Sequence, residues 1–146
     1  MRLSVPRVNA PYNAAIDWLF GTQDRGVKLG LENVYRLLAD MGNPQNDLRF
    51  IHVAGTNGKG SVCAMIDSIC RFAGLRTGLF TSPHLVRFNE RIQVNGMPID
   101  DDAAVRGIQK IRMHLDEQRH PTFFEITTAL AIDSPNPAPP GTELAR

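Results

Sequence analysis

A short glycine-rich segment, residues 55–61, has the residue types of a phosphate-binding loop. It follows an apolar run at residues 49–54 that predicts a strand, and it precedes a run that predicts a helix beginning near Val62. Glycines let backbone N–H groups turn toward one point, and a helix N-terminus adds partial positive charge there. Lys59 supplies a full charge for the outer phosphates, and the hydroxyl of Ser61 can ligate Mg²⁺. The segment therefore predicts a nucleoside triphosphate site.

The spacing departs from the general P-loop pattern. That pattern has four residues between its first glycine and a Gly-Lys pair, with Ser or Thr directly after the lysine. Here only two residues separate Gly55 from the Gly-Lys pair, and Gly60 stands between Lys59 and Ser61. The alternative is an ordinary turn between strand and helix, whose glycines only ease packing. A lysine and a serine at the helix start favour phosphate binding.

The composition indicates one domain and excludes several classes of protein. A chain of 146 residues with 42% hydrophobic content can bury one substantial core. Its net charge is +1, with both signs mixed along the sequence, so no nucleic-acid surface or polybasic membrane anchor is expected. No apolar run approaches the roughly 20 residues that cross a bilayer, and the first residues lack the apolar core of a signal peptide.

The two cysteines are not expected to form a disulfide. Cys63 and Cys70 lie seven residues apart on one predicted helix. A rise of about 1.5 Å per residue places them about 10 Å apart, which is too far for a disulfide. A reducing cytoplasm fits this pattern best.

Hydrophobic periodicity predicts alternating helices and strands. Helices are expected at residues 11–20, 31–41 and 61–72, and strands at 50–54 and 76–81. A strand, a loop, a helix and a second strand normally give parallel strands with a right-handed crossover. The predicted fold class is α/β, with a partial P-loop-type parallel sheet and flanking helices.

The pattern changes after Pro83. Asn95-Gly96 lies between two short apolar runs and predicts a hairpin. Residues 100–102 are three aspartates, which suit the N-cap and first turn of a helix. The apolar stripe of that helix recurs through residues 105–115, and residues 123–132 predict one further helix.

Residues 133–146 form a separate segment. They are rich in proline, which would interrupt any helix that continues from Leu130. We expect a disordered tail, and a natural linker to a further domain is the alternative. The abrupt change at Asp133 also suggests a truncated or frame-shifted reading.

Four segments together resemble one enzyme family. Residues 50–61 and 78–92 closely resemble the signatures of folylpolyglutamate synthases and bifunctional dihydrofolate synthases, and residues 28–32 and 123–131 resemble that family in the same order. The displaced Lys59 and the extra Gly60 are the usual form in this family. The resemblance runs from about Tyr12 to Ile132. It implies that residues 1–132 are the N-terminal part of an incomplete Mur-ligase-like ATP-binding domain.

The resemblance also implies a reaction. Members pass the γ-phosphate of ATP to a carboxylate of folate or dihydropteroate, and the amine of L-glutamate attacks the resulting acyl phosphate. Backbone N–H groups, Lys59 and Mg²⁺ would offset the repulsion between the two anions. Lys59 is the implied catalytic residue at the β/γ oxygens, and Ser82 and Ser61 are the implied metal ligands. The implied ATP-binding residues are Thr56, Asn57, Gly58, Lys59, Gly60 and Ser61.

Two further segments match those that line the pterin pocket of the family. A phenylalanine can stack on the flat ring, and a carboxylate can accept hydrogen bonds from its N–H groups. Core packing remains the alternative for Phe123 and Phe124. Residues 84–91 match a mobile loop, although Glu90 and Arg91 could equally form a solvated surface pair. The implied substrate residues are Lys28, Leu29, Gly30, Thr122, Phe123, Phe124 and Glu125.

Several parts of the family's sequence pattern are not found after residue 132 in this sequence. A metal-binding glutamate, a histidine ligand, a carbamylated lysine and a C-terminal domain would lie beyond residue 132. Two hypotheses therefore stand: a folate-pathway ligase by descent, or an inactive fragment that retains weak nucleotide binding. An unrelated P-loop kinase or a Mur ligase proper would not explain residues 81–92 and 123–131. We expect a cytoplasmic monomer that uses ATP and Mg²⁺ and has no nucleic-acid or membrane partner.

Overall fold

The computed structural model describes residues 9–23, 30–115 and 120–134. The helices and strands in these ranges are α1 (Ala10–Phe20), α2 (Glu32–Asp40), α3 (Lys59–Phe72), β1 (Gly78–Phe80), β2 (Ile92–Val94), β3 (Met97–Pro98), α4 (Asp101–Met113) and α5 (Phe123–Asp133). Short 3₁₀ turns occupy Pro44–Asp47 and Phe88–Arg91. The mixture of helices and a sheet confirms the α/β class. The sequence-based helix limits agree with the structure to within about two residues.

The hydrophobic core lies among four helices and the hairpin. Helix α1 packs on α4, and α5 packs on both α2 and α4. Leu19, Ile108, Ile126 and Leu130 are almost completely buried where these helices meet, and Ile92 extends the core toward β2. The core therefore supports α5 and the β1–β2 pair, which hold two of the sequence-predicted site segments.

Local sequence signals set the starts of these helices. The side chain of Asn9 accepts a 3.3 Å hydrogen bond from the N–H of Tyr12, and Pro11 occupies the first turn of α1. The carboxylate of Asp100 accepts a 2.6 Å hydrogen bond from the N–H of Ala103, which confirms the aspartate N-cap of α4. Such caps satisfy N–H groups that have no intrahelical partner. The helix starts were therefore readable from short stretches of sequence.

The sheet is antiparallel, and the predicted parallel pairing is wrong for the described residues. Strand β1 pairs with β2, and β2 pairs with β3 through the predicted hairpin at Asn95-Gly96. Both turn residues have positive φ, 50° and 78°, as a tight hairpin of this kind requires. Residues 50–54 form no strand, because no strand within the described part of the chain pairs with them to complete a hydrogen-bonded ladder.

Helix α3 attaches to the rest of the fold through polar contacts. Asp67 is the buried residue of this helix, and it accepts a 2.5 Å hydrogen bond from the hydroxyl of Thr77 just before β1. Arg71 completes the cluster through a 2.8 Å ion pair with the same carboxylate. The helix starts at Lys59, two residues earlier than the predicted Ser61, so the lysine lies in its first turn.

The end of α5 lies close to the predicted domain limit at residue 132. Asp133 is the last helical residue, and its carboxylate forms a 2.7 Å ion pair with Lys110 of α4. The remainder of the predicted tail, residues 135–146, lies outside the described residues. Within the part of the chain that the structure describes, no helix is long and apolar enough to cross a membrane.

Candidate functional site

The phosphate loop ends at an uncapped helix N-terminus. Gly58 is the N-cap of α3 in a left-handed conformation, with φ 74°, and no side chain caps this helix. The first intrahelical bond joins the N–H of Val62 to the carbonyl of Gly58, so the N–H groups of residues 59–61 have no acceptor within the helix. All residues from 55 to 61 are exposed. The geometry leaves three N–H donors and the positive helix end open to an anion.

Lys59 lies against its own loop. Its Nζ donates hydrogen bonds of 2.6 Å to the carbonyl of Gly55 and 3.3 Å to the carbonyl of Thr56. No carboxylate neutralises this ammonium group in the described residues. Both contacts are exposed, so an incoming phosphate can replace them without leaving a buried group unpaired.

Glycines 58 and 60 have different structural requirements. Gly58 needs its left-handed φ, which an L side chain adopts only with strain. A Cβ added at Gly60 would meet no atom within 4 Å, so the fold itself does not exclude a side chain there.

Ser82 follows β1 at its carboxyl end. It is exposed, it precedes Pro83 through a cis peptide bond, and the N–H of the preceding Thr81 bonds the carbonyl of Arg91 at 2.9 Å. Within the described residues, no group of three His, Cys, Asp or Glu side chains is placed to hold a metal ion. The oxygens of Ser82 and Ser61 are hard donors that suit Mg²⁺ carried by phosphates, but they do not form a protein cage.

Glu90 and Arg91 do not form the surface pair that the sequence left open as an alternative. The Glu90 carboxylate instead accepts hydrogen bonds from three backbone N–H groups. Those of Leu85 and Arg87 lie at 2.8 Å, and that of Val86 lies at 3.2 Å. These backbone donors lower the pKa of Glu90, because they stabilise its charged form. Arg91 turns inward and is only 8% exposed. The sequence alone could not decide between a surface ion pair and an arrangement with Glu90 exposed and Arg91 buried, because adjacent charged residues are compatible with either.

Arg91 and His84 lie in an aromatic cluster. Nε of Arg91 donates a 2.7 Å hydrogen bond to Nδ1 of His84, and its guanidinium lies 5.2 Å from the ring centre of Phe123. Burial lowers the pKa of Arg91 because it penalises the charged form. The His84 ring contacts Phe20 and Phe88 at centroid distances of 6.0 and 6.4 Å. Residues 81–87, which follow β1 and are called the Ser82 loop below, are thus joined to the start of α5.

The segment Thr122–Glu125 is built as a helix start. The N–H of Thr122 donates a 2.7 Å hydrogen bond to the Glu125 carboxylate, and the Thr122 hydroxyl accepts from the N–H of Glu125 at 3.3 Å. This is a capping box, so both side chains have a structural use. Glu125 remains half-buried rather than sealed in the core. The hydrogen bonds that it accepts from Thr122 both use the same oxygen, Oε2.

The two phenylalanines of this segment divide between core and surface. Phe123 is 9% exposed and stacks on Phe20 at a centroid distance of 5.3 Å, which supports the core interpretation for this residue. Phe124 is 59% exposed and lies 6.2 Å from the ring of Phe80 at the end of β1. Phe124 is therefore the ring that a flat ligand can reach. Phe20 and Phe80 were missed in the sequence, where each looked like an ordinary terminal residue of its element.

The structure describes only one of the residues that the sequence predicts before α2 for the pterin pocket. Gly30 is exposed with φ 118°, and a Cβ there would come within 2.3 Å of the Glu32 carboxylate. Lys28 and Leu29 lie outside the described residues. No hydrogen bond, ion pair or ring contact within residues 9–23, 30–115 and 120–134 joins the phosphate loop to the Ser82 loop. Helix α3, packed on β1, is the framework that they share.

A groove lies between the 3₁₀ turn Phe88–Arg91 and the start of α4. It has a volume of about 580 Å³ and is lined by Asn9, Arg87, Asn89, Glu90 and residues 98–102. Arg87 forms a 2.6 Å ion pair with Asp101, and Asn89 donates to the same carboxylate at 3.1 Å. Tyr12 donates to Asn89, and burial raises the pKa of Tyr12. These groups satisfy one another, so we assign the groove a structural role.

Comparison with known proteins identifies close relatives. No protein-family model matches the chain. The chain is 44% identical over 126 residues to a dihydrofolate synthase/folylpolyglutamate synthase of Bacillus subtilis. The aligned region covers 83% of this chain and 29% of the relative. It therefore spans less than a third of the length of this curated relative.

Solved structures agree with the sequence match. The structure of Escherichia coli FolC in complex with DHPP and ADP superposes with a TM-score of 0.80 and 31% identity, over 90% of this chain and 32% of that one. An FPGS–AMPPCP–folate complex superposes with a TM-score of 0.72 and 36% identity, over 83% of this chain and 31% of that one. The chain belongs to the folylpolyglutamate synthase and dihydrofolate synthase family.

Proposed function

We propose that this chain supplies the phosphate-binding part of an ATP-dependent ligase that adds L-glutamate to folate or dihydropteroate. The observation that carries the proposal is the uncapped start of α3, where three N–H donors and the Lys59 ammonium face solvent together. Similarity to proteins solved with ADP and with an ATP analogue supports this use of the loop. The ATP-binding residues would be Thr56, Asn57, Gly58, Lys59, Gly60 and Ser61.

The chemistry requires two anions to approach each other. A carboxylate becomes an electrophile when the γ-phosphate is transferred to one of its oxygens, which gives an acyl phosphate and ADP. The glutamate amine then attacks the carbonyl carbon, an amide forms and phosphate leaves. Lys59 would hold the β/γ oxygens, and the donors of residues 59–61 would offset the repulsion. A Mg²⁺ held by the triphosphate, Ser61 and Ser82 would supply further charge neutralisation.

The substrate would lie between the Ser82 loop and the start of α5. The exposed ring of Phe124 offers a stacking surface, and Glu125 and Thr122 provide polar groups beside it. Phe123 would support this surface from the core. Similarity to structures that contain DHPP or folate supports a pterin-bearing ligand. Lys28, Leu29 and Gly30 remain proposed contacts on the other side.

A second candidate concerns the chain by itself. Because it spans less than a third of the relative's length, we expect it to bind nucleotide weakly and to form no amide alone. The free thiols of Cys63 and Cys70 are consistent with the expected reducing cytoplasm. We retain the expectation that the isolated chain is a monomer.

Two measurements test the proposal. Titration with a fluorescent ATP analogue should show saturable binding that Lys59→Ala weakens at least tenfold. Arg76→Ala is the control, because Arg76 is an exposed cation beyond the opposite end of α3. Equal binding by the wild-type and Lys59→Ala chains would remove the proposed phosphate site. A radiolabelled glutamate assay with ATP and tetrahydrofolate should show no turnover, and turnover above background would refute the second candidate.

A further inference from the structure

Thr77 is held in place through its backbone and through its side chain. Its N–H donates a 3.0 Å hydrogen bond to Oδ1 of Asn95, and its carbonyl accepts a 2.9 Å hydrogen bond from the N–H of Asn95. Its hydroxyl donates a 2.5 Å hydrogen bond to Oδ1 of Asp67. The residue immediately before β1 is therefore bound to the β2–β3 turn and to α3 at the same time.

Asp67 makes these contacts from a buried position. Its side chain is 7% exposed, and its other oxygen, Oδ2, accepts a 2.8 Å hydrogen bond from Nε of Arg71. Charge-assisted hydrogen bonds of this kind are stronger than neutral ones. The guanidinium of Arg71 also lies on the hairpin turn, where a Cβ added at Gly96 would come within 2.7 Å of Cζ. We call Asp67, Arg71, Thr77 and Asn95 the α3 clamp.

The α3 clamp is the polar connection between α3 and the sheet. In the part of the chain that the structure describes, the other side-chain hydrogen bonds of α3 stay within the helix or reach back to the preceding loop. Asp67 is also the residue of this helix that is buried. The orientation of α3 on the sheet therefore depends on the clamp more than on apolar packing.

The two proposed metal ligands lie on the segments that the clamp joins. Ser61 lies six residues before Asp67 on α3, and Ser82 lies five residues after Thr77 along β1. At about 1.5 Å per helical residue and about 3.3 Å per extended residue, these serines lie about 9 Å and at most about 16 Å from the clamp. A rotation of about 10° at the clamp would move Ser82 by up to about 3 Å relative to α3. Since Mg²⁺ binds oxygens at about 2.0–2.1 Å in a strict geometry, such a movement would prevent both serines from reaching one ion.

We propose that Thr77 is a positioning residue for the ligase reaction. Through its bonds to Asp67 and Asn95 it sets the separation between Ser61 and Ser82, so that one Mg²⁺ carried by a triphosphate can reach both hydroxyl oxygens. Thr77 acts through these partners and not by contact with the nucleotide. The inference rests on the proposed function, because it requires that the two serines hold that ion.

The magnesium dependence of nucleotide binding tests this role. The dissociation constant of a fluorescent ATP analogue is measured for the full chain with Mg²⁺ and with a chelator, and the ratio of the two values is the Mg²⁺ gain. Thr77→Val keeps the shape of the side chain but removes its hydroxyl. It should lower the Mg²⁺ gain at least threefold, while the affinity without Mg²⁺ stays within twofold of the wild type. Thr77→Ser keeps the hydroxyl and should keep the gain.

A matched control separates positioning from stability. Thr22→Val removes a buried hydroxyl that donates a 2.6 Å hydrogen bond to the carbonyl of Leu19 at the end of α1, and it should leave the Mg²⁺ gain unchanged. The inference is overturned if Thr77→Val keeps the wild-type gain, if Thr22→Val lowers the gain equally, or if the wild-type chain shows no gain. Absence of any saturable binding of the ATP analogue would overturn the proposed function together with this inference.

A distance measurement reports the same geometry without nucleotide. Spin labels are attached at Ser61→Cys and Ser82→Cys in a chain in which Cys63→Ala and Cys70→Ala remove the native thiols. Dipolar electron paramagnetic resonance should give a distribution of label distances at least 1.5 times wider in Thr77→Val than in Thr77→Ser. Equal widths would overturn the inference even where the ATP analogue binds normally, so its failure can be told apart from a failure of the proposed function.

Discussion

The Nε atom of Arg91 donates a 2.7 Å hydrogen bond to the Nδ1 atom of His84. Nδ1 is the acceptor of this bond, so Nε2 is the ring nitrogen that is left to contact another group. The same guanidinium stacks on Phe123 at 5.2 Å, so one side chain contacts both the loop after Ser82 and the first residue of α5. The proposed metal and substrate segments are therefore mechanically joined through Arg91.

Replacing Arg91 should destabilise the protein. Arg91→Ala removes the bond to His84, leaves Nδ1 without a donor and opens space beside Phe123. We expect a loss of about 2 kcal/mol in the free energy of unfolding, measured by urea denaturation. Arg106→Ala, at an exposed position of α4, should change it by less than about 0.5 kcal/mol. Equal effects of the two variants would show that the contact is unimportant.

Glu90 should make loop stability depend on pH. Its pKa is lowered from 4.5 by the N–H donors of Leu85, Arg87 and Val86, so the folded state binds its proton less readily than the unfolded state. The resulting stabilisation is fully present above pH 4.5 and is lost as pH falls through the lowered folded-state pKa. The difference in unfolding midpoint between wild type and Glu90→Gln should therefore vanish in acid. A difference that is constant from pH 7 to pH 3 would contradict this assignment.

Asp67 should hold α3 on β1. Asp67→Ala removes the acceptor for Thr77 and the partner of Arg71, and it leaves a cavity at the buried position of the carboxylate. We expect a loss of about 2–3 kcal/mol and faster amide exchange in α3 than in α5. Asp17→Ala, at an exposed position of α1, is the control. Uniformly faster exchange throughout the chain would indicate general unfolding instead of local release.

Gly60 should affect stability and binding in opposite directions. A Cβ at this position meets no atom within 4 Å, and alanine favours a helix over glycine by about 0.5–1 kcal/mol. Gly60→Ala should therefore leave the free energy of unfolding unchanged or slightly higher, while its methyl group obstructs a phosphate and weakens ATP-analogue binding. Gly58→Ala should instead destabilise the fold by about 1 kcal/mol, because φ is 74° there. Undiminished affinity of Gly60→Ala would place the phosphates elsewhere.

Local sequence determined much of this protein. The glycine turn before α3, the aspartate cap of α4 and the Asn95-Gly96 hairpin were all predicted, because each depends on the conformational preferences of a few adjacent residues. The family motifs were equally readable, since they are short and contiguous. Helix limits followed from the same local rules, although α3 began two residues earlier than its apolar pattern suggested.

Only the tertiary structure decided how distant segments meet. Residues 50–54 look like a strand, yet a strand requires a partner, and the described residues offer none. The burial of Arg91 against Phe123, and the division between a buried Phe123 and an exposed Phe124, depend on Phe20 and Phe80, which are far away in sequence. When a helix packs on a core, one of two adjacent residues of the same type can be buried while the other stays exposed. Long-range packing determines which of the two is buried.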